Sequence, residues 1–137
     1  MIDANILLRR WLVEGLGTER VWTVSLPEYL PDTGEGFRPE DGPGIVISTR
    51  GGQSHTEIPI IRPSMQVTVW AGPNQQEEAR ELYNDVFALI HGRTNVDFDT
   101  DGYVLSCLEE THGQDEVDPD EGYARVVGFF NLFLRSN

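Results

Sequence analysis

The sequence predicts an α+β fold, in which a mostly antiparallel sheet of about four to five strands carries two helices on one face. Two segments have apolar residues at three- and four-residue spacing, which is typical of amphipathic helices. Other segments alternate apolar and polar residues, as strands with one buried face do. The chain has 137 residues, so we expect residues 1–137 to form a single domain with the element order α-β-β-β-α-β-β.

Each predicted helix follows a residue that suits a helix N-terminus. The first helix covers about residues 4–14, and Asp3 in front of it is a good N-cap. The second covers about residues 75–91, where Asn74 and Glu77 have the spacing of a capping box. We therefore expect both helices to begin at a side chain that accepts a backbone hydrogen bond.

The predicted strands are rich in β-branched residues or alternate in polarity. They cover residues 21–26, 44–49, 64–71, 103–110 and 124–134. The last strand is apolar on both faces, which predicts either a central place in the sheet or a second face that a partner covers.

Polar and turn-rich connections separate these elements. Residues 27–43 contain four prolines and three glycines, so they form neither a helix nor a central strand. This loop cannot bury Tyr29 and Phe37 well by itself, so we expect them to become ordered against a partner. Residues 50–57 are predicted to be a polar connection, and residues 111–122 an acidic, solvated loop.

The composition argues against several classes of function. The chain has 23 acidic and 10 basic residues and a formal net charge of −13, which disfavours general nucleic-acid binding and docking on an anionic membrane. All ten basic residues are arginines, whose planar guanidinium suits carboxylate partners. The single Cys107 excludes an internal disulfide and a site with several thiolates. The amino end does not have the pattern of a signal peptide, so we expect a soluble cytoplasmic chain.

One acidic motif is similar to the start of a calcium-binding loop. Asp97, Asp99 and Asp101 occupy alternate positions and Gly102 follows them, as oxygen ligands and the bend residue do in such loops. The twelfth position, where such a loop has a bidentate glutamate, is Leu108. A hairpin that turns at Asp101 and Gly102 is the alternative interpretation. A calcium-binding module is therefore a less favoured function, and we expect neither a resident metal ion nor a cofactor.

The sequence has no recognisable catalytic motif. It lacks a glycine-rich phosphate loop, a nucleophile elbow and a zinc-protease helix. Cys107 and His112 are imaginable as a nucleophile and its base, but the pattern around Cys107 predicts a buried strand residue. We therefore expect a binding or structural protein and not an enzyme.

Four segments together resemble a known family over nearly the whole chain. They are the first helix (ILLRRWL), the short strand GIVIS, residues 65–92 (MQVTVWAGPNQQEEARELYNDVFALIHG) and the closing segment from residue 118 (DPDEGYARVVGFFNLFLR). This arrangement resembles the tail terminator, or tail-completion, family of long-tailed bacteriophages. Residues 65–92 and 118–134 are its most specific parts.

The resemblance implies a virion protein that is assembled in the host cytoplasm and has no catalytic activity. It implies a homohexameric ring on the head-proximal end of the tail tube, where the ring stops tube polymerisation and offers a surface for joining to the head connector. The implied partners are further copies of the chain, the tail-tube protein and a connector or stopper protein. A head-completion or stopper protein of the phage neck is the alternative within the same structure.

Two sets of residues are candidates for the contacts of such a ring. The candidates for subunit or tail-tube contacts are Phe37, Arg38, Arg50, His55 and Arg62. The acidic candidates, which would face either the bore or a neighbour's arginines, are Glu109, Glu110, Asp115, Glu116, Asp118 and Asp120. Phage DNA would pass through the ring without specific binding, because carboxylates that line a bore repel phosphates.

Overall fold

Two helices and six strands form the part of the chain that the computed structural model describes, which is residues 2–54 and 60–137. In chain order they are α1 (Ala4–Leu16), β1 (Val21–Thr23), β2 (Gly44–Ser54), β3 (Ile60–Ala71), α2 (Gln76–Ile90), β4 (Thr94–Asp97), β5 (Tyr103–Val117) and β6 (Ala124–Arg135). Short 3-10 turns lie at Pro39–Asp41 and Asp99–Asp101. Neither helix of these residues is long and apolar enough to cross a membrane.

The six strands form one sheet in the order β1-β2-β3-β6-β5-β4. The pair β1 and β2 is parallel, and every other neighbouring pair is antiparallel. The predicted α+β class is confirmed, and β6 is central as the pattern suggested. The sheet has six strands rather than four to five, because β4 adds a strand before β5. Its four residues are mostly exposed, so they carry no alternation that reveals a strand.

Both helices pack on the same face of the sheet and share one core with it. From β2, Ile45 and Ile47 are fully buried there, and Val67 and Val69 of β3 lie beside them. The helices contribute buried side chains to the same core: Leu7, Leu8 and Leu12 from α1, and Ala79, Tyr83, Val86 and Ile90 from α2. The other face of the sheet has no helix over it within the described residues.

The two helix starts differ in how well the sequence predicts them. The Asp3 carboxylate accepts hydrogen bonds from the backbone N–H groups of Asn5 and Ile6 at 2.9 and 3.3 Å, so the predicted cap of α1 is confirmed. The predicted capping box of α2 is wrong. Asn74 has a left-handed backbone (φ 63°), and the helix begins after Gln75, whose side chain accepts from the Gly72 N–H at 2.8 Å instead.

Two predicted connections are partly strand. The predicted acidic loop at 111–122 is wrong for its first seven residues, because β5 continues to Val117. The connection predicted at 50–57 belongs to β2 as far as Ser54, and residues 55–59, with the candidate His55, lie outside the described residues. Both strands contain register irregularities, and these break the two-residue period that the prediction relies on.

The proline- and glycine-rich loop at 27–43 packs against its own chain through a row of contacting aromatic rings. Phe37 is 4% exposed and packs edge-on against Trp22 and Tyr123, with ring centroids 6.3 and 5.6 Å apart. Tyr123 in turn meets Trp70 at 6.5 Å. The expectation that this loop cannot bury Phe37 without a partner is therefore wrong, because Tyr123, far along the chain, covers the ring.

Candidate interaction surface

The face of the sheet opposite the helices, which we call the open face, carries aromatic, aliphatic and arginine side chains. Most of them are partly exposed, whereas Val46 and Thr68 are buried. On β3 and β6 the open-face pairs Gln66–Phe129 and Thr68–Val127 alternate with the core pair Val67–Gly128. The open face comprises Val46, Ser48 and Arg50 from β2, Arg62, Ser64, Gln66, Thr68 and Trp70 from β3, Arg125, Val127, Phe129, Asn131 and Phe133 from β6, and Leu108, Glu110 and Glu116 from β5.

Apolar side chains remain partly exposed over much of the open face. Val127, Phe129 and Phe133 of β6 are each half-buried, and Leu108 of β5 is 54% exposed. The sequence predicts a last strand with two apolar faces, and this is what the structure shows. Partly exposed aromatic and aliphatic side chains that gather on one face of a small protein are typical of a protein-interaction site.

Arginines lie over the aromatic rings of this face. The Arg62 guanidinium is 4.4 Å from the ring centroid of Phe133, and that of Arg125 is 5.2 Å from the Trp70 ring. Arg125 also forms an ion pair with Glu116 at 2.8 Å. The open face holds three arginines and two glutamates, so its charge is positive in a chain whose formal net charge is −13.

A groove of about 780 Å³ occupies one end of the open face. Arg50 and Arg62 line it together with the apolar side chains of Leu108 and Phe133. The Arg50 Nε donates a hydrogen bond to the Gln66 side-chain oxygen. Two of the predicted contact residues, Arg50 and Arg62, are thus brought together in a single hollow that also offers apolar contact area.

The other predicted contact residues lie elsewhere. Phe37 is buried in the aromatic row described above. Arg38 forms an ion pair with Asp41 at 2.7 Å and lies over the Tyr29 ring at 5.0 Å. This ion pair lowers the pKa of Asp41. A role of Phe37 and Arg38 in contacts between chains stays a prediction.

The acidic candidates divide between the two faces of β5 and the turn that follows it. Glu110 and Glu116 lie on the open face, where Glu110 accepts a hydrogen bond from the Ser64 hydroxyl at 3.1 Å. Asp115 lies on the helix side and pairs with Arg80. The remaining acidic candidates are Glu109, which is also on the helix side, and Asp118 and Asp120 in the turn between β5 and β6.

Glu109 belongs to a partly buried polar cluster that the sequence does not predict. Its carboxylate accepts a hydrogen bond from the Tyr83 hydroxyl, and its other oxygen is 2.8 Å from Nδ1 of His112. The backbone N–H of Glu109 donates to Nδ1 of His91 at 3.0 Å. Burial raises the pKa of Tyr83, and the hydrogen bond to Glu109 raises it further. This cluster ties α2 to β5.

Two glycines make room for the Tyr83 ring. A Cβ atom at Gly128 would lie 2.7 Å from the Tyr83 Cζ, and one at Gly113 would lie 2.6 Å from its Cε1. Both distances are far below ordinary carbon–carbon contact. A glycine in the middle of an otherwise apolar strand, such as Gly128 in β6, is the sequence signal that could have indicated this close approach.

Two of the three aspartates of the calcium-like motif form ion pairs with an arginine. The Arg10 guanidinium is 3.1 Å from the Asp101 carboxylate and 3.4 Å from that of Asp99. Asp97 accepts hydrogen bonds from the Asp99 N–H at 2.9 Å and the Asn137 amide at 2.8 Å, and these lower its pKa. No group of three or more metal-type side chains in residues 2–54 and 60–137 is placed to hold a metal ion.

Comparison with solved structures shows a similarity of fold. No protein-family model matches the chain, and no curated protein matches it. The structure is similar to that of a chain from the virion of a native gene transfer agent (GTA) particle, with a TM-score of 0.62 and 12% sequence identity. The similarity covers 97% of this chain and 95% of the other. The chain therefore shares its fold, over almost its whole length, with a component of a virion.

Proposed function

We propose that the chain is a structural protein of a tailed-phage virion, and specifically a tail terminator. In this role several copies form a ring on the head-proximal end of the tail tube, stop its polymerisation and provide the surface to which the head connector joins. The resemblance of residues 65–92 and 118–134 to tail terminators supports the specific role. The fold shared with a GTA virion chain supports a virion protein.

The observation that carries the proposal is the open face. A chain of 15.4 kDa that covers one side of its sheet with two helices leaves aromatic rings partly exposed on the other. Burial of such a surface against other chains is favourable, at about 25 cal/mol per Å² of apolar area. A protein that works by assembly needs a surface of this kind, whereas a monomer that works alone does not.

The proposal assigns the chain no catalytic step. Cys107, the nucleophile considered from the sequence, is fully buried against the core, and burial raises the pKa of its thiol to about 12. The proposed partners are copies of the same chain, the tail-tube protein and a connector or stopper protein. The proposed location is the tail and neck of the virion, after assembly in the host cytoplasm.

The proposal is tested by electron microscopy of the purified protein, alone and together with polymerising tail-tube protein. A terminator forms rings that cap the tubes and halt their growth at one end. The unmodified protein is compared with the Arg50→Glu, Arg62→Glu variant, which we expect to fold but not to cap tubes. Binding to the portal-adaptor complex in place of tubes would favour the head-completion or stopper function, and indifference to both partners would refute a role in the neck.

A further inference from the structure

We propose that the groove around Arg50 and Arg62 binds the acidic turn, residues 118–121, of a second copy of this chain. Copies then join head to tail, each offering its turn to one neighbour and its groove to the other. This inference rests on the ring of the proposed function and specifies which surfaces of neighbouring subunits meet.

The groove has the chemistry that an acidic segment requires. Its two guanidiniums contact neutral groups of their own chain, since Arg50 donates to Gln66 and Arg62 lies over the Phe133 ring. Guanidinium groups bind carboxylates through paired, charge-assisted hydrogen bonds. Leu108, which is 54% exposed, adds an apolar wall beside them.

Glu110 also lines the groove and reduces its positive charge. Its carboxylate accepts a hydrogen bond from the Ser64 hydroxyl at 3.1 Å. The groove therefore suits a short acidic turn better than a long polyanion, because two arginines and one glutamate leave a single net positive charge.

The acidic turn is exposed and its shape is fixed by its own hydrogen bonds. The Asp118 carboxylate accepts from the Glu121 N–H at 2.8 Å, and the Asp118 N–H donates to the Tyr123 carbonyl at 2.8 Å. The carboxylates of Asp120 and Glu121 remain exposed. Val117, just before the turn, is 66% exposed and provides an apolar side chain that can pack against the groove.

Groove and turn lie at opposite ends of the same sheet, so a chain cannot join its own two surfaces. The turn precedes Ala124, the first residue of β6, and Phe133 in the groove is near the other end of that strand. Nine residues of extended strand separate these two residues by about 30 Å. A contact between different surfaces on two identical chains is heterologous, and it generates a closed ring when the rotation between neighbours is suitable.

Two variants, each with the charge of one surface reversed, test whether groove and turn bind each other. The groove variant carries Arg50→Glu and Arg62→Glu, and the turn variant carries Asp120→Arg and Glu121→Arg. Asp118 is kept in both because it shapes the turn. The control variant carries Glu19→Arg and Asp32→Arg, which make the same change in net charge as the turn variant, at exposed positions outside both surfaces. Circular dichroism and thermal unfolding check that each variant folds.

Ring formation is measured by light scattering of the free protein and by microscopy of tube ends. We expect each reversed variant alone to lose association by about a hundredfold or more, because like charges then face each other. An equimolar mixture of the two should regain rings, with the variants alternating in equal numbers by native mass spectrometry. The control variant should assemble as the unmodified protein does.

The outcomes separate this inference from the proposed function. Rings that form equally well from either reversed variant alone, or a mixture that fails to recover, would overturn the pairing of groove and turn. The same holds if the groove variant forms normal rings that no longer bind tubes, since the groove would then contact the tail-tube protein. If the unmodified protein forms no ring, either free or on tubes, the proposed function itself fails.

Discussion

Replacing Gly128 with alanine should destabilise the protein strongly, because the space beside this residue is filled by Tyr83. The new Cβ would lie 2.7 Å from the Tyr83 Cζ and closer still to the phenol oxygen. The ring has no room to retreat, since Tyr83 is fully buried and its other edge lies against Gly113. Moving it would also break the hydrogen bond from its hydroxyl to Glu109.

The magnitude follows from three contributions. Overpacking of a close-packed core costs about 1–3 kcal/mol. Loss of a hydrogen bond to a charged group adds about 1.5–3 kcal/mol. Alanine favours the strand conformation more than glycine does, which offsets about 0.5–1 kcal/mol of this loss. We therefore expect the free energy of unfolding to fall by about 1.5–5.5 kcal/mol, a substantial part of the 5–15 kcal/mol typical of a domain.

Urea unfolding of four proteins tests this reasoning: the unmodified chain, Gly128→Ala, Tyr83→Leu and the double variant. Leucine does not reach the position of the phenol, so in the Tyr83→Leu background the alanine should be neutral or slightly stabilising. A Gly128→Ala substitution that is harmless in the unmodified chain would refute the steric argument. Equal destabilisation in both backgrounds would show that the cost arises in the strand itself and not from Tyr83.

Four further predictions concern single groups. Asp3→Ala should lower the free energy of unfolding by about 1 kcal/mol in urea, and Asp3→Ser should restore most of it, because Asp3 caps two N–H groups of α1. Tyr83 has a pKa above its ordinary value of 10.0, so its contribution to stability is complete below pH 10 and decreases as the pH rises further. The Tm of the Tyr83→Phe variant should therefore fall less above pH 10 than the Tm of the unmodified protein. Cys107, whose thiol pKa is about 12, should react with a thiol reagent near neutral pH only after urea unfolds the protein. Excess Ca²⁺ should leave the Tm unchanged, because Arg10 lies among the aspartates; a Ca²⁺-dependent rise that Asp99→Ala abolishes would contradict this.

Periodicity predicts the elements of this fold that bury one regular face. Both helices and the paired core strands follow their three-to-four or two-residue spacing closely, and the α1 cap is a local interaction that Asp3 completes within its own first turn. The start of α2 is different. Gln75, which the capping-box pattern does not consider, directs its side chain backwards to Gly72, and the left-handed backbone of Asn74 removes it from the cap position.

The polar cluster around the buried Tyr83 shows why part of the site could not be predicted. Glu109 and His112 are an odd number of residues apart, so a regular strand would place them on opposite faces of the sheet. Register irregularities in β5, on either side of Thr111, bring both side chains to the helix side. Such irregularities depend on the partner strand and on the space that Gly128 leaves, and no local pattern specifies them.

The candidate contact residues illustrate the same distinction. Arg50 and Arg62 lie on neighbouring strands and meet in one groove, which antiparallel pairing of β2 and β3 accounts for directly. Phe37 was expected to need a partner chain, yet it is covered by Tyr123 from a distant part of the same chain. A contact between residues so far apart in sequence depends on the whole topology. Composition alone therefore led to the wrong prediction that Phe37 is exposed in the isolated chain.

The arginines of the open face explain how a chain can expose aromatic side chains to water. The guanidiniums of Arg62 and Arg125 lie over the rings of Phe133 and Trp70, so each ring is shielded by a group that water solvates well. A lysine would not serve equally, because its compact ammonium group does not stack over a ring in this way. In the proposed ring, the guanidinium would bind a neighbour's carboxylate through its N–H edge and stay in contact with the aromatic ring. An all-arginine set of cations therefore fits the proposal that this aromatic surface is solvated in the free chain and buried in the ring.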